Sequence, residues 1–190
     1  MVWTIPVDKI QFGIEETQHT ARYFHDLAKG HLKQMDDELQ KGGTSMRTIH
    51  AVIFLYYGLE ELGKLMILFE KLDEAKRNGD SQIVLDKYVG DHNIKLNKAK
   101  QAYPDLVIQK REPENGWKND GSFEDLVPKG DILTDFMERS NSWLATWYPD
   151  RSTWQEPDGW IERDDVQTAI GRFGAVLDEW FEKIKEMKNQ

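Results

Sequence analysis

The most informative polar residues of this sequence lie inside a long apolar segment. Glu60, Glu61 and Lys64 interrupt residues 51–69, which are otherwise apolar on nearly every side. Buried charges are costly unless they are paired. Lys64 follows Glu60 by four residues and Glu61 by three, the spacings at which side chains meet on a helix. The pattern predicts either a polar functional site on a rigid helix or a structural ion pair to a neighbouring helix or subunit.

A second polar group follows on the next predicted helix. His92 falls on an apolar stripe and is therefore predicted to point inward, and Lys95 lies at the edge of the same stripe. An imidazole titrates near neutral pH, so it can both accept and donate a proton. A single core-facing His is more often structural, but a second polar helix facing the first favours a function. We therefore take His92 as a candidate acid–base group.

The composition predicts one folded domain that covers residues 1–190. The chain has 39% hydrophobic residues and no cysteine, so a core can form without disulfides and thiolate zinc sites are excluded. A net charge of −9 argues against a general nucleic-acid coat protein, although residues 86–111 carry more basic than acidic side chains. The pattern Glu16-Thr-Gln-His19 occurs once, whereas a di-iron bundle needs it twice. We therefore predict no metal and no cofactor.

The positions of apolar residues predict an all-α bundle of about five helices. The predicted helices run from about Val7 to Gln40, from Thr44 or Ser45 to Asn78, from Ser81 to Tyr103, from Asp131 to Ser142 and from Arg163 to Lys188. Residues 104–130 are predicted to form a long loop, either a functional loop or a mobile insertion. Residues 143–154 are predicted to form a small hairpin or an extended cross-over before the last helix. The N-terminus lacks a signal-peptide pattern, and no segment is predicted to span a membrane, so we expect a cytoplasmic protein.

Several motifs together resemble those of the AbiV-type abortive-infection proteins, which belong to the HEPN superfamily. They are Glu60-Glu61-Leu-Gly63-Lys64, His92-Asn-Ile-Lys95, Arg139, the run that ends Trp147-Tyr148-Pro-Asp150, and Trp154-Gln-Glu-Pro157. The match keeps the family's order and spacing from about Gln11 to Lys188. The resemblance implies a HEPN helical bundle, usually a homodimer, that acts in bacterial antiviral defence against phage.

Many HEPN proteins are metal-independent ribonucleases, so the resemblance also suggests what the polar residues do. Cleavage needs a base for the ribose 2′-OH, an acid for the leaving 5′-oxygen, and cations for the charge that develops on phosphorus. We assign catalysis to His92, Lys64, Glu61 and Glu60, and binding of RNA phosphate to Lys95, Lys98 and Arg139. His92 is the acid–base group, Lys64 and Lys95 hold phosphate, and either Glu61 or Glu60 orients these lysines.

The sequence departs from one feature of the superfamily, an Arg and a His separated by four to six residues. Arg22 and His25 have only two residues between them, as do Arg47 and His50. Two hypotheses therefore stay open. In the first, the protein is a ribonuclease that blocks translation in infected cells, in some circumstances only after a phage-encoded activator has engaged it. In the second, it is a non-catalytic helical binding or regulatory protein that sequesters a partner.

Overall fold

The computed structural model describes residues 3–39, 47–85, 90–108, 133, 146–148, 153–155 and 161–188. Within these ranges the chain is mostly helical, as predicted. The helices are α1 (Val7–Leu39), α2 (Arg47–Asn78), α3 (His92–Ala102) and α4 (Arg163–Lys188). The strands are β1 (Trp3–Pro6), β2 (Gln82–Leu85), β3 (Thr146–Tyr148) and β4 (Thr153–Gln155).

Helices α1 and α4 form where the spacing of apolar residues predicts amphipathic helices. The whole predicted stripe of α4 is buried, namely Val166, Ile170, Phe173, Leu177, Trp180, Ile184 and Met187. Asp164 and Asp165 lie in the first turn of α4 and Lys185 and Lys188 in the last, which complements the helix dipole. Both ends of α4 and the start of α1 are confirmed.

Helix α2 is buried along much of its length, as its apolar composition predicts. Leu55, Leu59, Leu62 and Leu65 are fully buried. The helix ends at Asn78 because Gly79 adopts a positive φ of 73°, and the Asp80 N–H then donates to the Ala75 carbonyl at 3.0 Å. The predicted capping residues Thr44 and Ser45 lie outside the described residues. None of the described helices has the length and apolar character needed to cross a bilayer.

Residues 82–85 correct the prediction of a helix that begins at Ser81. They form β2, which pairs antiparallel with β1 so that Trp3 lies opposite Leu85. Ile83 and Leu85 are buried whereas Val84 is exposed, which is the alternation of a strand. Neither β1 nor β2 was predicted from the sequence. The Val7 N–H donates to the Ser81 carbonyl at 3.1 Å, so a hydrogen bond links the start of α1 to the segment after α2.

The described chain divides into two compact units, each of which receives part of α1, α2 and α4. The first contains Met1–Asp26, Tyr57–Leu106 and Gly171–Gln190, and the second contains Leu27–Tyr56 and Val107–Ile170. In the second unit, Arg163 of α4 donates from Nε and Nη2 to the two carboxylate oxygens of Asp36 on α1, at 2.6 and 2.5 Å. The single domain remains a prediction.

The hairpin predicted before the last helix is present. Strands β3 and β4 are antiparallel, with Trp147 opposite Trp154. The predicted short helix from Asp131 to Ser142 lies outside the described residues except for Leu133, which is helical and fully buried. Residues 109–130 of the predicted long loop also lie outside them.

Candidate functional site

Glu60 is a buried carboxylate on α2 that contacts two side chains of α3. Only 6% of its side chain is exposed. Its Oε1 accepts a hydrogen bond from Lys95 Nζ, and its Oε2 lies 2.8 Å from His92 Nδ1. Lys95 is also withdrawn from solvent, with 8% of its side chain exposed. One oxygen of Glu60 therefore contacts the ammonium of Lys95, and the other contacts the imidazole of His92.

The contacts of Glu60 determine which nitrogen of His92 is engaged. Burial raises the pKa of the Glu60 carboxyl, but hydrogen bonds from Lys95 and His92 outweigh burial, and the net pKa lies below its ordinary value. An ionised carboxylate can only accept hydrogen bonds, so Nδ1 of His92 must carry the donated proton. In a neutral ring, Nε2 then carries the free electron pair.

His92 does not face the core, and the prediction that it points inward is wrong. Its side chain is 67% exposed. The physical reason is the point at which α3 begins. Asp91 caps the helix, since its Oδ1 accepts from the backbone N–H groups of Asn93 at 2.9 Å and Ile94 at 3.3 Å. His92 is therefore the first helical residue, and the apolar stripe of a helix that begins at Ser81 does not continue in phase.

Gly63 allows the backbone of α3 to lie against α2. A Cβ atom added at Gly63 would lie 1.7 Å from the Lys95 carbonyl oxygen, so any side chain there would displace α3. Neither the close approach at Gly63 nor the cap at Asp91 was predicted from the sequence. A glycine within a strongly helical apolar segment, where it usually lowers stability, is the signal that indicates such a close approach.

Glu61 and Lys64 form a separate ion pair on α2. Lys64 Nζ donates to Glu61 Oε2 at 3.1 Å. Of the two predicted partners of Lys64, the structure therefore uses Glu61, while both oxygens of Glu60 contact α3. This pair is more accessible than the pair of Glu60 and Lys95, because 33% of the Lys64 side chain is exposed.

The remaining predicted site residues are distributed as follows. Lys98 Nζ on α3 lies 2.6 Å from the Glu70 carboxylate on α2. Lys64, Lys95 and Lys98 therefore each contact a carboxylate. Arg139 lies outside the described residues. All the assigned residues that the structure describes belong to α2 and α3 of the first unit. The structure brings Glu60, His92 and Lys95 into one cluster, whereas Lys64 and Lys98 pair with Glu61 and Glu70.

A separate cavity of about 320 Å³ lies between α2 and α4 in the first unit. It is lined by the apolar side chains of Phe69, Leu72 and Met187 and by charged side chains that include Lys76 and Glu186. None of the assigned site residues lines it. Across the part of the chain that the structure describes, no group of three or more His and acidic side chains is arranged to hold a metal ion.

The cluster of Glu60, His92 and Lys95 is suited to proton transfer at the protein surface. A carboxylate that orients an imidazole through one nitrogen leaves the other nitrogen available to a reacting group. The ammonium of Lys95 is already paired inside the cluster, so the cluster offers a base rather than a cation. No family model matches the chain, and no match was found among curated proteins or solved structures.

Proposed function

We propose that this chain is an AbiV-type abortive-infection protein of the HEPN superfamily and acts as a metal-independent endoribonuclease in defence against phage. The observation that carries the proposal is the 2.8 Å contact between the exposed His92 and the buried Glu60. A carboxylate-oriented imidazole at a surface supports general acid–base catalysis. The motifs that supply these two residues are also the ones that resemble the family.

In the proposed reaction, Nε2 of His92 removes the proton from a ribose 2′-OH. The 2′-oxygen forms a bond to the adjacent phosphorus, and the bond from phosphorus to the 5′-oxygen breaks. A proton passes to the leaving 5′-oxygen, so the products are a 2′,3′-cyclic phosphate and a 5′-hydroxyl. One positioned acid–base group contributes about 10²- to 10⁴-fold to such a reaction. The proposal assigns one of the two proton transfers to His92.

We assign the phosphate contact in this reaction to Lys64, which follows Glu60 by four residues and therefore lies on the same side of α2. A third of its side chain is exposed, and its partner Glu61 lies on the same helix. Partly exposed ion pairs contribute at most about 1 kcal/mol, so exchanging the Glu61 carboxylate for a phosphate costs little. Glu61 then holds Lys64 near the site when no RNA is bound.

A second candidate function, a non-catalytic regulator that sequesters a partner, is favoured by a different observation. Lys64, Lys95 and Lys98 all contact carboxylates, and the whole chain carries a net charge of −9. Binding of RNA phosphates depends largely on basic side chains that replace counterions. In this hypothesis the polar cluster fixes α3 on α2, and the protein works through a binding surface.

The proposal is tested by incubating the purified protein with total bacterial RNA in EDTA. His92→Ala is the site variant, and His19→Ala is its matched control because His19 is an exposed His on α1. We expect the wild type and His19→Ala to cleave RNA, and His92→Ala to be slower by at least about 100-fold. Circular dichroism must show the same helix content for all three. Equal cleavage by His92→Ala would contradict the assigned chemistry.

Phage challenge of cells that express the same variants separates the two candidate functions. Protection that depends on His92, together with cleaved RNA, supports the ribonuclease. Protection that survives His92→Ala, with intact RNA, supports the regulator. Adding lysate of infected cells to the RNA assay tests a phage-encoded activator, and sedimentation equilibrium tests the proposed homodimer.

A further inference from the structure

Lys95 differs from the other two lysines of the site in its burial. Lys64 and Lys98 keep about a third of their side chains exposed, whereas Lys95 is almost fully covered. Long lysine side chains usually extend their ammonium groups toward water. The ammonium of Lys95 instead ends at Oε1 of Glu60. It is therefore poorly placed to bind a phosphate, which was its assigned role.

The contacts of Glu60 form a continuous chain from the interior to the surface. The buried ammonium of Lys95 contacts one carboxylate oxygen, and the other oxygen contacts the exposed ring of His92. A carboxylate that faced the imidazole alone would favour a second proton on the ring, because opposite charges at this distance stabilise each other. With the ammonium in place, the charge of Glu60 is already neutralised from the other side.

We propose that Lys95 is a positioning residue for His92. It neutralises Glu60 from the buried side, so that His92 is held as the tautomer with a proton on Nδ1 and an unprotonated Nε2 facing solvent. A general base must be unprotonated to act. The inference deepens the proposed ribonuclease function, since it says what keeps the acid–base group ready. Its primary readout, the protonation of each ring nitrogen, does not require RNA cleavage.

The charged residues that neighbour His92 and Glu60 along their helices have partners of their own. On α3, Oδ1 of Asp91 accepts hydrogen bonds from the backbone of Asn93 and Ile94. On α2, Glu61 and Lys64 pair with each other. Glu60 is thus the carboxylate through which a change at Lys95 reaches the ring.

The first measurement is long-range ¹H–¹⁵N NMR of the His92 ring in the wild-type protein at neutral pH. We expect a protonated Nδ1 and the downfield signal of an unprotonated Nε2. A ring with its proton on Nε2, or with protons on both nitrogens, would overturn the proposal without any variant being made.

The second measurement repeats the spectrum on Lys95→Met, which removes the charge while keeping a long apolar side chain. We expect both ring nitrogens to be protonated at the same pH, with loss of the unprotonated Nε2 signal. Lys98→Met is the matched control, because Lys98 also pairs with a glutamate of α2 but through Glu70. Its spectrum should equal that of the wild type. An unchanged ring in Lys95→Met would mean that Lys95 has no positioning role.

If Lys95→Met does not fold, Glu60→Gln takes its place. The ammonium of Lys95 can only donate, so it takes the amide oxygen and leaves the amide NH2 group facing Nδ1 of His92. An unprotonated Nδ1 is then favoured, and a ring that keeps its proton on Nδ1 alone would contradict the proposal. The RNA assay separates the two hypotheses. The expected spectra without RNA cleavage would support the role of Lys95 and contradict the ribonuclease. Cleavage with an unchanged ring in the variant would support the ribonuclease and contradict the role of Lys95.

Discussion

Two carboxylates of this protein, Glu60 and Asp36, hold their cations in different ways. Asp36 accepts two hydrogen bonds from one guanidinium, that of Arg163, and both side chains are about a third exposed. Glu60 is buried and divides its oxygens between the ammonium of Lys95 and the ring of His92. In the first arrangement both carboxylate oxygens contact one guanidinium, which also donates to Asp164 and Gln167. The second connects a buried charge to an exposed group that can carry a proton.

A carboxyl group with a lowered pKa does not by itself identify a functional site. The hydrogen bond from Arg163 lowers the pKa of Asp36, and hydrogen bonds from Lys95 and His92 lower the pKa of Glu60 against the effect of burial. Both carboxylates are therefore stabilised in their charged form. The difference is the imidazole of His92 in the Glu60 cluster, because an imidazole can exchange protons near neutral pH and a guanidinium cannot.

The largest expected effect comes from removing the buried carboxylate of Glu60, and removing that of Asp36 gives the comparison. Glu60→Ala leaves the Lys95 ammonium buried without a counterion, so we expect the free energy of unfolding to fall by about 3–5 kcal/mol. Asp36→Ala removes a partly exposed pair and should cost about 1 kcal/mol. Urea unfolding followed by circular dichroism measures both. Similar losses for the two variants would mean that burial does not distinguish the two carboxylates.

The next effect concerns the contact that brings Lys95 to Glu60. Gly63→Ala forces the backbone of α3 away from α2, and we expect a loss of about 1–3 kcal/mol in the free energy of unfolding. Gly13→Ala is the matched control on α1, since an added Cβ there meets no atom within 4 Å. Alanine should stabilise that position by up to about 1 kcal/mol. A Gly63→Ala protein as stable as the Gly13→Ala protein would contradict the close approach.

A smaller effect is expected at the start of α3. Asp91→Ala removes the side-chain acceptor for the first helical N–H groups and should cost about 1 kcal/mol. Asp91→Asn keeps an acceptor oxygen, so its loss should be only a few tenths of that value. Thermal unfolding measures stability, and exchange of the Ile94 amide proton reports whether the first turn loosens. Equal behaviour of the two variants would show that the cap does not hold His92 in place.

The smallest effect is the pH dependence of the exposed pair. Because the folded protein lowers the pKa of Asp36, the pair stabilises the protein above the unfolded pKa, and this contribution is lost as the pH falls through the folded pKa. The free energy of unfolding should therefore decline as the pH falls below about 5. The decline should be smaller in Asp36→Asn, and the two proteins should differ by under about 1 kcal/mol. Glu60→Gln should also flatten this decline, because the folded protein lowers the pKa of Glu60 as well. Parallel curves for all three proteins would contradict both shifts.

Local patterns were sufficient for the long helices of this protein. The stripe of α4 is set by residues three and four positions apart, so its ends at Arg163 and Lys188 follow from sequence. Strands β1 and β2 were missed because each is only four residues long and each exists by pairing with the other, far away in the chain. Pairing between distant segments has little effect on the spacing of apolar residues within either segment.

The candidate site was predicted in its residues but not in its geometry. Charges within an apolar helix are conspicuous, so Glu60 was found from sequence. Its pairing with Lys95 depends on the backbone contact at Gly63, and the exposure of His92 depends on the cap at Asp91. The pairing depends on how α2 and α3 pack, and the exposure of His92 depends on where α3 begins. The spacing of residues along either helix does not specify these two features.

The pairing of β1 with β2 has a consequence for the order in which the protein assembles. Residues 7–81 separate the two strands, so pairing must close a long loop, whereas the turns of α1 and α2 need only local contacts. During synthesis β1 emerges long before its partner exists. We expect it to join last, and pulsed hydrogen exchange should protect the amide of Ile5 after those of α2. Changes at residues 3–6 would then alter the final step of folding and leave the helices able to form.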